Sequence, residues 1–203
     1  MSLTESLKPY IADRPFGTIR LIYFGRVSES KNVDVVIKVA YELEKAGYKT
    51  STTVIGGYTE AYKAKLEQTI KEYRLDNDKV QIIGQQPFDK ICDALQKVHF
   101  FVFPSQEKME GHSNSLTEAM TFGVVPVVST AGFNASIVGN KELVVDSIDP
   151  MKYARVIESV IEKNVWSEYS LAVYRRIKEN YTEDIVKKNI LCAVDELEDG
   201  ENE

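Results

Sequence analysis

The stretch HFFVF, residues 99 to 103, indicates how this chain folds. Every side chain after the first residue is apolar, so a strand formed there needs cover on both faces. Strands of this kind lie at the centre of parallel sheets that carry helices on both sides. The sequence on either side of HFFVF should therefore alternate strands with helices.

The rest of the sequence follows this alternation. Apolar runs that end in Gly, Pro or Ser alternate with segments whose apolar residues repeat at helical spacing, which is typical of βαβ units. Asn32 is the expected N-cap of the first helix and Gly47 its stop, while Thr59 precedes the second helix. The predicted fold is a Rossmann-like parallel sheet with helices on both faces and about six strands, at residues 19–24, 51–55, 80–83, 99–103, 124–129 and 142–145.

The length and composition fit one globular α/β domain. The chain has 203 residues, of which 43% are hydrophobic, and no apolar run approaches the roughly 20 residues of a membrane span. The net charge of −6 gives no general attraction to nucleic acid, so an anionic ligand must meet a local cluster of cations. We expect a linker or cloning remnant at 1–17, one domain at 18–182, and a terminal helix with an acidic tail at 183–203.

The cysteines and the amino terminus bear on the cellular compartment. Cys92 and Cys192 lie far apart without CxxC or CxxH companions, which favours reduced thiols in the core. The first residues show no secretory signal. We therefore expect a cytoplasmic protein.

Several polar segments should meet at one edge of the predicted sheet. Open parallel sheets bind ligands at the carboxyl ends of their strands. Arg26 and Lys31 belong to this edge, and two cations beside helix N–H groups can bind a diphosphate, although on spacing alone both could be solvated surface residues. The segments that follow predicted strands, and so share this crevice, are Gly25-Arg26, Gly56-Gly57, Gly84, the loop 104–118 and residues 130–132.

Motifs in this crevice resemble those of a known enzyme family. GRVSESK at 25–31 is similar to the G-R-x-x-x-x-K stretch of the retaining GT-B glycosyltransferases of family four, and Glu110 with Glu118 is similar to their Glu, seven residues, Glu motif. PS at 104–105, EAM at 118–120 and PVV at 126–128 follow in the family's order. The resemblance runs from about Ile19 to Tyr181 and corresponds to the C-terminal, nucleotide-sugar half of a GT-B fold.

The resemblance implies roles for particular residues. Arg26 and Lys31 would stabilise the leaving diphosphate in place of a metal, and with Glu110, which would contact the transferred sugar, they are the expected catalytic residues. Glu118 would bind the nucleotide ribose. The other expected substrate-binding residues lie on the loops: Gly25, Gly56, Gly84, Gly111, His112, Ser113, Asn114, Ser115 and Leu116. His112 and Ser113-Asn114 replace the residues most common in the family, which leaves the sugar open.

The resemblance also implies a function. The chain is expected to be the donor-binding domain of a retaining hexosyltransferase that uses a sugar linked to UDP or GDP, without a cofactor or a metal. The acceptor, a glycan or lipid-linked saccharide on the way to polysaccharide, lipopolysaccharide or glycolipid, would bind a separate N-terminal domain. Peripheral association of the full-length enzyme with the inner face of the membrane is left open. The alternatives are a sugar-nucleotide epimerase on the same architecture and a non-catalytic nucleotide-binding module.

Three further features have plainer interpretations. Asp76-Asn77-Asp78 matches the Asp-x-Asp pattern of metal-dependent glycosyltransferases, but it falls in a polar turn, where these residue types are common. Glu107 has Ser115 eight positions later, so it cannot supply the glutamate pair. His99 begins a buried strand and is expected to be structural.

Overall fold

The computed structural model describes residues 17–76, 78–107, 111–182 and 184–187. Four of the features predicted from the sequence lie partly or wholly outside these residues. They are the linker before residue 17, Glu110, the middle residue of Asp76-Asn77-Asp78, and the terminal segment with Cys192.

Six parallel strands form a single sheet, as the sequence predicts. They are β1 Ile19–Phe24, β2 Thr50–Ile55, β3 Val80–Ile83, β4 Phe100–Phe103, β5 Val125–Ser129 and β6 Val144–Val145. Their order across the sheet is β3-β2-β1-β4-β5-β6, and every neighbouring pair is parallel. The chain therefore runs outward from β1 to β3 and then crosses back to β4. The reversal of direction places a topological switch point between β1 and β4, which is where ligands bind in open sheets of this kind.

Helices cover both faces of the sheet. They are α1 Val33–Lys45, α2 Glu60–Glu72, α3 Phe88–Leu95, α4 Asn114–Thr121, α5 Asn134–Val138, α6 Pro150–Glu162 and α7 Trp166–Asn180. α1 packs beside α2 and α6, whereas α4 packs beside α5 and α7. Two short 3₁₀ helices, at Glu29–Lys31 and Lys141–Leu143, precede α1 and β6.

The strand β4 lies in the middle of the core, and all four of its residues are buried. The rings of Phe101 and Phe103 stack on the ring of Tyr23 from β1, with centroids 6.4 and 6.2 Å away. His99, just before β4, is fully buried, and its Nδ1 accepts a hydrogen bond from the backbone N–H of Arg20 at 3.0 Å. The His99 carbonyl accepts another from the indole N–H of Trp166 at 3.1 Å. The prediction that His99 is structural is confirmed.

Asn32 begins α1 in a way that the sequence did not predict. It adopts a left-handed conformation with φ 49° and ψ 46°, and its side chain caps none of the described N–H groups of the helix. Its amide instead donates to the carbonyl of Pro104 at 3.0 Å. Thr59, in contrast, caps α2 as expected, accepting from the N–H of Tyr62. Asn32 thus ties the segment that carries Lys31 to the loop that follows β4.

Candidate functional site

A cleft of about 730 Å³ opens at the carboxyl ends of β1, β2 and β4, beside the switch point. Gly84 and the segment 130–132, both expected at this edge, do not belong to its described lining. Gly111 is exposed at the start of the adjoining loop, and the side chain of Leu116 is buried in the core. The structure brings together nine of the predicted site residues around this cleft: Gly25, Arg26, Lys31, Gly56, His112, Ser113, Asn114, Ser115 and Glu118.

Two glycines allow the loops after β1 and β2 to pack backbone against backbone. Gly25 and Gly56 have φ angles of 133° and 149°, which side chains rarely tolerate. The N–H of Gly25 donates to the carbonyl of Ile55 at 3.0 Å, and a Cβ placed on Gly56 would overlap the carbonyl oxygen of Gly25. The hydroxyl of Tyr23 donates to the carbonyl of Arg26 at 2.6 Å and stabilises the loop after β1. This wall of the cleft is therefore fixed by backbone geometry.

The two predicted cations share a carboxylate that the sequence analysis set aside. The Nζ of Lys31 lies 2.7 Å from Oε2 of Glu107, and Nη2 of Arg26 lies 3.6 Å from Oε1. Ser30 Oγ also donates to Oε1, at 2.7 Å. These contacts, first of all the hydrogen bond from Lys31, lower the pKa of the Glu107 carboxyl. The sequence contained an indication of this contact. Glu107 follows β4, and β4 pairs with β1, the strand that precedes Arg26 and Lys31.

The two cations differ in their exposure. The side chain of Lys31 is only 7% exposed and its Nζ lies 5.5 Å from the centre of the Phe103 ring, whereas the side chain of Arg26 is 70% exposed. A charge near an aromatic ring and away from water interacts more strongly with a ligand than an exposed charge does. Lys31 should therefore contribute more than Arg26 to the binding of an anion.

The start of α4 forms another part of the cleft lining. Ser113 is its N-cap and accepts a hydrogen bond from the N–H of Leu116, while Ser113, Asn114 and Ser115 line the cleft. The N-terminal turn of a helix carries a partial positive charge and offers N–H groups to an anion. Glu118, one turn further on, is half-buried at the cleft, and burial raises its pKa. A hydroxyl that donates to Glu118 would favour its ionised form.

His112 connects the cleft to the end of α7. It is exposed and lines the cleft, and its ring centroid lies 5.3 Å from that of Tyr181. Tyr181 directly follows α7, so the position of this helix bears on the orientation of the histidine. His112 can offer a ring N–H to a ligand hydroxyl at the mouth of the cleft.

Sequence reasoning missed one side of the cleft. Gln85 and Gln86 follow β3, and Phe88 and Ile91 lie on α3, and all four line the cleft. The available signal was their place after a strand of the sheet, at the same edge as the predicted residues. These side chains add amides and an apolar surface to a site otherwise made of glycines, hydroxyls and charges.

Two other predicted features are not part of the described lining of the cleft. Asp76 accepts a hydrogen bond from the N–H of Lys79 through Oδ1 at 3.1 Å, which is a turn contact. Cys92 is a half-buried free thiol, and burial raises its pKa. Within the described residues no group of three or more His, Cys, Asp and Glu side chains is arranged to hold a metal ion. Of the helices in those residues, none is long and apolar enough to cross a membrane.

Comparison with known proteins gives two kinds of similarity. In sequence, the chain is 32% identical over 116 residues to the amylovoran biosynthesis glycosyltransferase AmsK of Erwinia amylovora, covering 55% of this chain and 28% of AmsK. The chain spans about a quarter of the length of the curated relatives that it matches. In structure, it resembles Anabaena HepE in complex with UDP, with a TM-score of 0.77, 16% identity, and coverage of 89% of this chain and 49% of HepE.

A second solved structure matches this domain over nearly its whole length. It is the C-terminal domain of the glycosyl transferase group 1 family protein LpcC from Francisella tularensis, with a TM-score of 0.68 and 22% identity. The match covers 81% of this chain and 87% of that domain. The fold is thus that of the C-terminal half of GT-B glycosyltransferases. The family model for glycosyl transferases group 1 matches residues 13–183, and the chain belongs to this family.

Proposed function

We propose that this chain is the donor-binding half of a retaining glycosyltransferase and binds a nucleoside-diphosphate sugar in the cleft. The observation that carries the proposal is that Lys31, Arg26 and the first turn of α4 line the same cleft. This arrangement offers two cations and a helix N-terminus to the same ligand, which suits a diphosphate. HepE, which has the same fold, was solved with UDP and with UDP and glucose, in keeping with a nucleotide ligand.

The remaining parts of the donor have natural partners around the cleft. Glu118 would accept hydrogen bonds from the ribose hydroxyls, because a half-buried carboxylate pairs well with vicinal donors. Phe88 and Ile91 offer an apolar wall to a flat base. His112, together with Glu110, would face the transferred sugar. Arg26 and Lys31 would stabilise the charge that develops on the leaving diphosphate.

The acceptor half would belong to a longer protein. The chain spans about half of HepE, so the acceptor would bind the part of such a protein that this chain does not contain. We therefore expect this chain to bind a nucleoside diphosphate without transferring sugar to an acceptor glycan or lipid-linked saccharide. Calorimetry with UDP and GDP tests the binding, and the same titrations with EDTA should give unchanged affinities. Failure of both nucleotides to bind would refute the proposal.

Arg26→Ala is expected to weaken UDP about three- to tenfold while leaving uridine within about twofold. The guanidinium can form a charge-assisted hydrogen bond with phosphate, but its exposure to water limits the gain. Titration of both ligands into the wild type and the variant measures the difference. Equal losses for UDP and uridine would mean that Arg26 supports the fold of the loop and does not bind phosphate.

Glu118→Ala is expected to weaken UDP and uridine alike, by roughly tenfold, because both ligands carry the ribose. Hydrogen bonds to a charged group contribute about 1.5 to 3 kcal/mol. The matched ligand is 2′,3′-dideoxyuridine diphosphate, whose affinity should be the same for the wild type and the variant. A similar loss with the dideoxy ligand would assign Glu118 to the shape of the cleft instead of to the ribose.

A further inference from the structure

The carboxylate of Glu107 lies against the two cations that would bind a ligand phosphate. It contacts Nζ of Lys31 at 2.7 Å and faces Nη2 of Arg26 at 3.6 Å, and these are the two cations assigned to the diphosphate. An incoming phosphate and this carboxylate would compete for the same N–H groups and repel each other. While Glu107 keeps this position, a ligand phosphate cannot bind all of the N–H groups of Arg26 and Lys31.

The free protein has a physical reason to keep an acid here. Lys31 is nearly buried beside the ring of Phe103, and an ammonium group in such a place needs a charged or polar partner. Glu107 provides one through Oε2, while Oε1 accepts from Ser30. The carboxylate thus offsets the charge of Lys31 and holds its ammonium group in place before any ligand binds.

The side chain of Glu107 is placed so that it can leave without disturbing the loop. Its side chain is 24% exposed, so a rotation would carry the carboxylate into water. The loop backbone is held separately, since the N–H of Gln106 donates to the carbonyl of Ser30 at 3.1 Å and the N–H of Glu107 to Ser105 Oγ at 3.3 Å. The backbone contacts can persist while the ion pair with Lys31 breaks.

We propose that Glu107 is an internal counter-ion that occupies the diphosphate position in the free protein and is displaced by the donor, so that it sets donor affinity. The proposal rests on the proposed function, because it needs a diphosphate at Arg26 and Lys31. It makes Glu107 an affinity-determining residue of the cleft, distinct from the glutamate pair. Its removal should strengthen nucleotide binding, which is the opposite of what removing a ligand-binding residue would do.

The test is Glu107→Gln, which keeps the shape of the side chain and removes its charge. We expect UDP to bind about three- to tenfold more tightly than to the wild type, with uridine unchanged within about twofold, because only UDP competes with the carboxylate. Glu107→Ala should act in the same direction. The matched control is Glu29→Gln, which removes an equal charge from the segment that carries Lys31, at an exposed residue paired with Lys65. The control should shift UDP affinity by less than about twofold.

Thermal unfolding gives a second measurement. Without ligand, Glu107→Gln should unfold at a lower temperature than the wild type, because the variant loses the ion pair between Glu107 and Lys31. Saturating UDP should then raise the unfolding temperature of the variant by more than it raises that of the wild type. Weaker or unchanged UDP binding by both Glu107 variants would overturn the counter-ion proposal and leave the proposed function standing. If the wild type itself bound UDP no better than uridine, the proposed function would fail and this inference with it.

Discussion

Gly56→Ala is expected to reduce the free energy of unfolding by about 3 to 5 kcal/mol. A Cβ at this position would overlap the carbonyl oxygen of Gly25, and it would lie 2.9 Å from the Gly25 carbonyl carbon and 3.3 Å from Val27 Cγ2. The φ angle of 149° adds strain of its own. Overpacking typically costs about 1 to 3 kcal/mol and an unfavourable backbone conformation a similar amount. Urea denaturation followed by circular dichroism would measure the loss.

The adjacent glycine provides the control for Gly56. No described atom lies within 4 Å of a Cβ built on Gly57. Gly57→Ala should therefore change the free energy of unfolding by less than about 1 kcal/mol, although both glycines follow the same strand. Similar small losses for both variants would show that the loops after β1 and β2 can separate at little cost, contrary to the close backbone packing described above.

The fold was predictable because the apolar runs, the helical spacing of apolar residues and the residues expected at helix ends all indicate the same alternation of strands and helices. The apolar run at 99–103 placed a central strand correctly, and the helix before β2 ended close to Gly47, as expected. Asn32 holds the predicted N-cap position, but its side chain makes no cap hydrogen bond and is oriented by a tertiary contact, in which its Nδ2 donates to the carbonyl of Pro104. A residue's own sequence neighbourhood cannot reveal such a partner 72 positions away.

The site was predictable to the extent that it depends on strand ends. Arg26, Lys31 and the segment before Glu118 meet in one cleft because they follow β1 and β4, which are neighbours at the switch point. Gly84 was expected on the same reasoning, but it does not line the cleft, whereas Gln85 and Gln86, which follow it after the edge strand β3, do. The strand pattern predicts which loops meet at this edge of the sheet, but the conformation of each loop decides which of its residues line the cleft.

Glu107 shows a different limit of sequence reasoning. Glu107 has no glutamate eight positions later, so the motif spacing correctly excludes it from the glutamate pair. That spacing gives no information about any other role of Glu107. The role of Glu107 comes from its ion pair with Lys31, 76 positions earlier in the chain. Charge pairing between loops depends on the distance between side chains, which the spacing of residues along the sequence does not give.

Lys31→Ala is expected to weaken UDP by about 100-fold, a larger loss than for Arg26→Ala, and to leave uridine within about threefold. The change removes a nearly buried cation from the diphosphate position and leaves the Glu107 carboxylate there without its main partner, so attraction is lost and repulsion is added. A 100-fold loss corresponds to about 2.7 kcal/mol. Calorimetry with UDP and uridine measures both effects. The matched control is Lys65→Ala, which removes a lysine paired with Glu29 outside the cleft and should change UDP affinity by less than about twofold.

Combining Lys31→Ala with Glu107→Gln separates the two contributions to that loss. The double variant should recover about three- to tenfold of the UDP affinity that Lys31→Ala removes, because the unpaired carboxylate no longer repels the phosphates. It should stay below the wild type, since the attraction of the ammonium group is still absent. A recovery that differs from the gain given by Glu107→Gln in the wild type would measure the coupling between the two residues. If the double variant bound UDP as weakly as Lys31→Ala alone, Glu107 would exert no repulsion on the ligand, and the whole loss would have to come from the missing ammonium group.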